Sequence, residues 1–126
     1  MKKIINTSNA PAPIGPYNQA VLSGNTLYIS GQIPMDAATG NLIEGDIKAE
    51  TRKCLENLKA ILTEAGMSFE NVVKSSIFLA DMNQFSQVNE VYGSYFEAET
   101  APARETVEVS NLPKFVNVEI SMIAVG

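Results

Sequence analysis

The sequence has no histidine, no tryptophan and a single cysteine, Cys54, among 126 residues. Without histidine, neither a Ser-His-Asp nor a Cys-His catalytic unit can be assembled. With Cys54 alone there is no zinc finger, no His-based zinc site and no intramolecular disulfide. No side chain present titrates near neutrality when unperturbed. Acid–base chemistry therefore falls to a carboxylate, Tyr, Lys, Cys54, the backbone or water. Positive charge is also scarce. Nine Lys and Arg against fourteen Asp and Glu leave a net charge of −5, which is no footprint for nucleic acid. No apolar run is long enough to span a bilayer. The basic start, Lys2-Lys3-Ile4-Ile5, is interrupted by Asn6, Thr7, Ser8 and Asn9, so it lacks the apolar centre of a signal peptide. One cysteine fits a reducing compartment, and the expectation is a soluble, cytoplasmic protein. Phosphate loops of the Walker or dinucleotide type are missing as well.

What is present is a foldable composition, with 45% hydrophobic and 18% charged residues, enough for one domain over residues 1–126 with its own core. Ala10-Pro11-Ala12-Pro13-Ile14-Gly15-Pro16 comes too early to separate two domains and reads as a loop of restricted backbone. Residues 18–22 and 27–30 flank Ser23-Gly24-Asn25-Thr26, a hairpin signature. Over residues 46–65, Ile47, Thr51, Cys54, Leu55, Leu58, Ile61, Leu62 and Ala65 keep helical spacing, with Asp46 as N-cap and Gly66 as stop. Cys54 falls on that stripe and reads as a small buried hydrophobe. Residues 72–80 alternate as a strand with Val73, Ser75, Ile77 and Leu79 on one face. A second helix is expected over residues 83–97, with Phe85, Val88, Tyr92, Tyr95 and Phe96 as its packing face. Strands follow over 103–109 and 116–125, the last with Val116, Val118, Ile120, Met122 and Ala124 on one side. This order predicts an α+β fold: a mainly antiparallel sheet with two helices packed on one face. The other face mixes small, polar and apolar residues, which points to a subunit interface and an oligomer.

Few residues are placed for chemistry. Arg104 opens a strand after Pro102-Ala103, on one face with Thr106 and Glu108. A guanidinium there either grips a carboxylate through two parallel hydrogen bonds or pairs with a surface acid. Glu119 shares a face with Asn117 and Ser121 among apolar neighbours. Partly buried, it would have a raised pKa unless paired with Arg104 or another cation, and it could hold and activate a water; fully solvated, it would do neither. Gly31, in Ser30-Gly31-Gln32-Ile33-Pro34, either admits a ligand to the backbone or bends the strand. Tyr17 is a core aromatic or a pocket hydroxyl, and Asn89 a polar contact on the second helix or a site residue.

In order along the chain, Ile14-Gly15-Pro16-Tyr17, Ser30-Gly31-Gln32-Ile33-Pro34, Asn83 through Asn89 to Tyr92, Pro102-Ala103-Arg104, and Leu112-Pro113-Lys114 with Val118-Glu119-Ile120 resemble the RidA (YjgF) family of reactive-intermediate deaminases. The resemblance runs over about residues 5–125. It implies a chorismate-mutase-like fold assembled as a homotrimer, with sheets lining an internal barrel, helices outside and clefts between subunits. It implies hydrolysis of 2-enamino and 2-imino acids, such as 2-aminoacrylate, 2-iminopropanoate and 2-iminobutanoate, to 2-oxo acids and ammonia. That activity uses no cofactor or metal and protects pyridoxal-phosphate enzymes from damage. By resemblance, Arg104 binds the substrate carboxylate and Glu119 helps hold the attacking water. Tyr17 and Ser30 orient the ligand with Gly31 beside them, and Asn89 stands near the cleft. Thr106 replaces a cysteine that many members carry and whose backbone contributes at the site. Glu105 also departs from the family's small or apolar residue, and alternation sends it to the face opposite Arg104. The segment between Tyr92 and Pro102 is slightly short. Other readings are a non-catalytic trimer that senses small 2-oxo acids, and the RNA cleavage or translation inhibition attributed to some relatives. The acidic balance and missing histidine weigh against the latter.

Overall fold

Gly24 takes a φ of +61° and, with Asn25, closes the two-residue turn that pairs Ala20–Ser23 (strand β2) with Thr26–Gln32 (strand β3). The computed structural model, which describes residues 1–126, adds a strand absent from the sequence reading. Lys2–Ile5 (β1) pairs antiparallel with β2 at the sheet edge. Four residues with two lysines carry too little alternation to declare a strand on their own, and the β2 ladder supplies the partner.

Helix α1, Ile47–Glu64, begins and ends where its capping residues dictate. The Asp46 carboxylate accepts the Lys48 N–H at 3.0 Å. At the other end Gly66 turns left-handed, the Met67 N–H reaches Leu62 O at 2.8 Å and the Gly66 N–H reaches Thr63 O at 3.0 Å, a Schellman motif. The predicted stripe, Cys54 included, is buried against β3 and the last strand, Val118–Val125 (β6), except for Ala65 at its end, which is partly buried.

Between them lie Val72–Leu79 (β4), helix α2 over Phe85–Gly93, and Ala103–Glu108 (β5). Helix α2 is shorter than the expected 83–97. Residues 82–84 form a 3₁₀ turn capped by Asp81, and the helix stops at Gly93-Ser94. The Ser94 hydroxyl donates back to Val91 O at 2.6 Å, and glycine followed by serine propagates a helix poorly. Tyr95 and Phe96, freed from the helix, pack on Phe69 at ring-centroid distances of 5.3 and 5.4 Å.

The sheet order is β1-β2-β3-β6-β4-β5, antiparallel throughout except for β4–β5. Alternation in β6 runs as read from the sequence: Val118, Ile120, Met122 and Ala124 are buried beneath the helices. In β4 it fails at the start. Val72 pairs with Ala124 but Lys74 with Ile123, so Val73 is an extra, bulged residue; Val72 is buried and Val73 exposed. On the opposite sheet face, Ile4, Val21, Tyr28 and Ile123 stand in register across four strands, and no element of the chain covers them. No helix is long and apolar enough to cross a membrane.

Candidate functional site

One group of residues gathers where the β3–β6 ladder breaks. Ile29 pairs with Met122 but Gln32 with Ile120, so Ser30 and Gly31 together face Ser121 in a bulge. The Glu119 side chain lies across the bare Gly31 backbone. A Cβ there would stand 2.5 Å from Glu119 Oε2 and 2.7 Å from its Cδ. Gly31 therefore makes room for a side chain of its own chain. The Ser30 hydroxyl donates to Asn18 O at 2.7 Å, and Tyr17 Oη, half exposed, accepts the Ile14 N–H at 3.4 Å. Tyr17, Ser30, Gly31 and Glu119, walled by Ile14, Ile33 and Pro113, line a groove of about 310 Å³, a size that takes a small molecule. Glu119 is half-buried, and burial raises its pKa above the ordinary carboxylate value. A carboxyl so placed can accept a proton from a bound water and return it.

The loop carrying Ile14 and Tyr17 has no ladder of its own, and the buried Gln19 holds it. Gln19 Nε2 donates to the carbonyls of Thr7, Ala10 and Pro11 at 3.0, 3.2 and 2.9 Å, and its Oε1 accepts the Thr7 N–H at 2.7 Å. Sequence reasoning passed over Gln19. Its signal was indirect: a Pro-rich loop beside a strand must find partners for its backbone groups somewhere.

A second group gathers around Arg104. Its Nη1 donates to Asn89 Oδ1 at 2.8 Å, and its Cζ lies 5.0 Å from the Tyr92 ring centroid and 5.7 Å from that of Phe85. The guanidinium is thus held by two rings and one amide, with donors to spare for an anion. The aromatic stripe of α2 is core packing, as read from the sequence, and also the shelf under Arg104, which was not. Tyr92 Oη in turn donates to the buried Ser75 Oγ at 2.9 Å. Burial pushes the Tyr92 hydroxyl's pKa up, while the Ser75 bond and the Arg104 charge pull against it. Thr106 lies on the same face, its hydroxyl oxygen buried without a partner. Glu105 lies on the other face, as alternation required. There it accepts from Lys74 at 2.8 Å and from Ser76, and these bonds hold its pKa below the ordinary value.

Strand register keeps the two groups apart. Ser75 pairs with both Arg104 and Met122, so Arg104 belongs to the helix-covered face. Phe78 pairs with both Glu119 and Val107, so Glu119 belongs to the open face. One chain brings Tyr17, Ser30, Gly31 and Glu119 together, and Arg104 with Asn89, on opposite sides of the sheet.

The family model described as Endoribonuclease L-PSP matches residues 7–126. A 2-iminobutanoate/2-iminopropanoate deaminase of Bos taurus is 51% identical over 125 residues, 99% of this chain and 90% of that protein. Among solved structures, a Yersinia pestis protein of the conserved Rid family superposes with a TM-score of 0.97 at 48% identity, covering 100% of both chains. Escherichia coli TdcF with bound serine gives a TM-score of 0.92 at 44% identity, covering 98% of both.

Proposed function

The chain belongs to the Endoribonuclease L-PSP family, whose solved members include proteins named RidA and YjgF, and on that premise we propose that it hydrolyses small 2-imino acids and their enamine tautomers to 2-oxo acids and ammonia. Support comes from the named activity of relatives about half identical over nearly the whole chain, and from a site chemistry that suits it. The observation that carries the reading is Arg104, a guanidinium oriented by Asn89, Tyr92 and Phe85 with free donors for a carboxylate.

The reaction needs an anion clamp and a placed water. Arg104 fixes the substrate carboxylate, which sets the electrophilic C2 of the protonated imine in one position. Glu119 takes a proton as water attacks C2 and passes it toward the nitrogen, which leaves as ammonia when the C–N bond of the tetrahedral adduct breaks. The 2-oxo acid remains, and no redox change occurs. Because Arg104 and Glu119 lie on opposite sheet faces, the working site takes Arg104 from one subunit and the Tyr17–Gly31–Glu119 groove from its neighbour. A homotrimer whose open faces cover one another would provide this and would also bury the Ile4, Val21, Tyr28 and Ile123 row.

Arg104→Ala and Arg104→Lys should both lose most 2-oxo acid formation from freshly generated 2-aminoacrylate, since Lys lacks the bidentate geometry. Undiminished turnover in both would overturn the assignment. Co-expressed Arg104→Ala and Glu119→Gln chains, each deficient alone, should recover part of the activity in mixed oligomers. No recovery would exclude a shared site. A second reading, a non-catalytic binder of small carboxylates, is favoured by the serine bound to the Escherichia coli relative. Binding of a 2-oxo acid to Arg104 without turnover of the imine would select it.

A further inference from the structure

Beside the Glu119 groove lies a second, smaller cavity of about 40 Å³. It shares Ile14, Tyr17, Gly31 and Ile33 with the groove, so the two stand side by side. What it adds is mostly apolar: Pro11 and Ala12 from the Pro-rich loop, and Met35 from the segment that follows β3. Gln19 and Gln32 complete the lining, and no charged residue belongs to it. Both amides already donate to backbone carbonyls, Gln19 to those of Thr7, Ala10 and Pro11, and Gln32 to that of Ser30 at 3.3 Å. A polar group entering here would give up its water for little in return.

Two buried amides set the width of the cavity. Gln19 ties down the loop that carries Pro11 and Ala12. Asn57 of α1, itself 1% exposed, donates to Ile33 O at 3.2 Å and to Met35 O at 3.0 Å. Each wall is thus fixed by hydrogen bonds made within the chain, and the cavity is formed before any ligand arrives.

We propose that this cavity receives the alkyl chain of the 2-imino acid, and that Met35 and Ala12 set the length it accepts. The placement rests on the deaminase reading. There C2 of the substrate carries three substituents. The carboxylate goes to Arg104, and the nitrogen stays within reach of the water held by Glu119. The alkyl chain is left with the apolar side of the groove, Ile14 and Ile33, which is the side shared with the cavity. By volume the cavity takes roughly three carbon-sized groups. With C3 still in the groove, C4 to C6 of a six-carbon acid would fill it. 2-Iminopropanoate would leave it empty and 2-iminobutanoate would place one carbon in it. The site is therefore built for longer, unbranched or lightly branched apolar chains, and against charged ones.

The test is calorimetric binding of the product 2-oxo acids to the full-length protein, with turnover of the matching imines, made in place, followed separately. Affinity should rise about fourfold per carbon from 2-oxopropanoate to 2-oxohexanoate and fall at 2-oxooctanoate. 2-Oxoglutarate, with a charged end, should bind more weakly than 2-oxopentanoate. Met35→Ala removes three heavy atoms from the wall and should move the optimum toward 2-oxooctanoate. Ala12→Leu, at an exposed loop position that the fold tolerates, should move it back toward 2-oxobutanoate. Loss of fold stability alone would not reorder the series, so the order of chain lengths is the readout. Affinity independent of length, or the same optimum in both variants and the parent, would overturn the subsite while leaving the deaminase reading intact. The expected order without turnover of any imine would overturn the deaminase reading and keep the subsite. No binding at any length would overturn both.

Discussion

Gly31→Ala adds one methyl group at a point the Glu119 side chain already occupies. The new Cβ would meet Oε2 at 2.5 Å, Cδ at 2.7 Å and Cγ at 3.0 Å, and the carboxylate must retreat by roughly 1 Å to reach ordinary contact. Every atom in the way belongs to the mobile end of one side chain, so the fold yields easily. An off-rotamer Glu costs about 0.5–1.5 kcal/mol, and alanine recovers about 0.4–1 kcal/mol by restricting the unfolded chain. Net stability should change by less than about 1 kcal/mol, a few degrees in midpoint for a domain of this size. Catalysis should not be spared. A displacement of that size at a reacting group costs about 100-fold, or about 2.7 kcal/mol in activation free energy. The assay is 2-oxo acid formation from 2-aminoacrylate made in place, with thermal unfolding alongside. The double variant Gly31→Ala with Glu119→Gln should be no slower than the worse single variant, because both act through one carboxylate. Full turnover in Gly31→Ala, or a loss that multiplies with that of Glu119→Gln, would refute the reasoning.

The raised pKa of Glu119 has a signed consequence for stability. The folded state binds its proton more tightly than the unfolded chain does, so stability falls as pH rises from the ordinary 4.5 through the folded value. Glu119→Gln should therefore be more stable than the parent at neutral pH, with the difference vanishing below 4.5; a gap that persists at low pH would assign the effect to something other than titration. Tyr92→Phe leaves the ring under Arg104 but strips the buried Ser75 hydroxyl of its partner. It should cost about 1–3 kcal/mol in denaturant unfolding, with substrate affinity little changed. Cys54 is fully buried, and burial first, then the Glu119 and Glu50 charges, push its pKa well up. Thiol reagents should label it no faster than the chain unfolds, and rapid labelling of native protein at neutral pH would contradict that burial.

Much of the fold was legible locally. The α1 stripe, its Asp46 and Gly66 boundaries, the Gly24-Asn25 turn and the buried side of β6 are short-range patterns, and helical or alternating periodicity reports them directly. The candidate site was legible as residue types: a guanidinium at Arg104, a carboxylate at Glu119, a bare backbone at Gly31. Its incidental structure was not. Gln19 and Asn89 look like any polar residue until the segments they hold are in place. The rings of Tyr92 and Phe85 look like core until Arg104 is laid on them.

The sequence by itself determined that two helices form, where α1 begins and stops, and which residue types are available for chemistry, because capping, propensity and periodicity act over a few residues; the ends of α2 were not legible in it. Strand order and register were decided only by the tertiary structure. So were the bulges at Val73 and at Ser30-Gly31, since each is a property of two strands whose partners lie far apart in sequence. Arg104 and Glu119, which read from the sequence as neighbours in function, are set on opposite faces of one sheet by the pairing of β4 with both β5 and β6. In a period-two strand, register alone chooses the face.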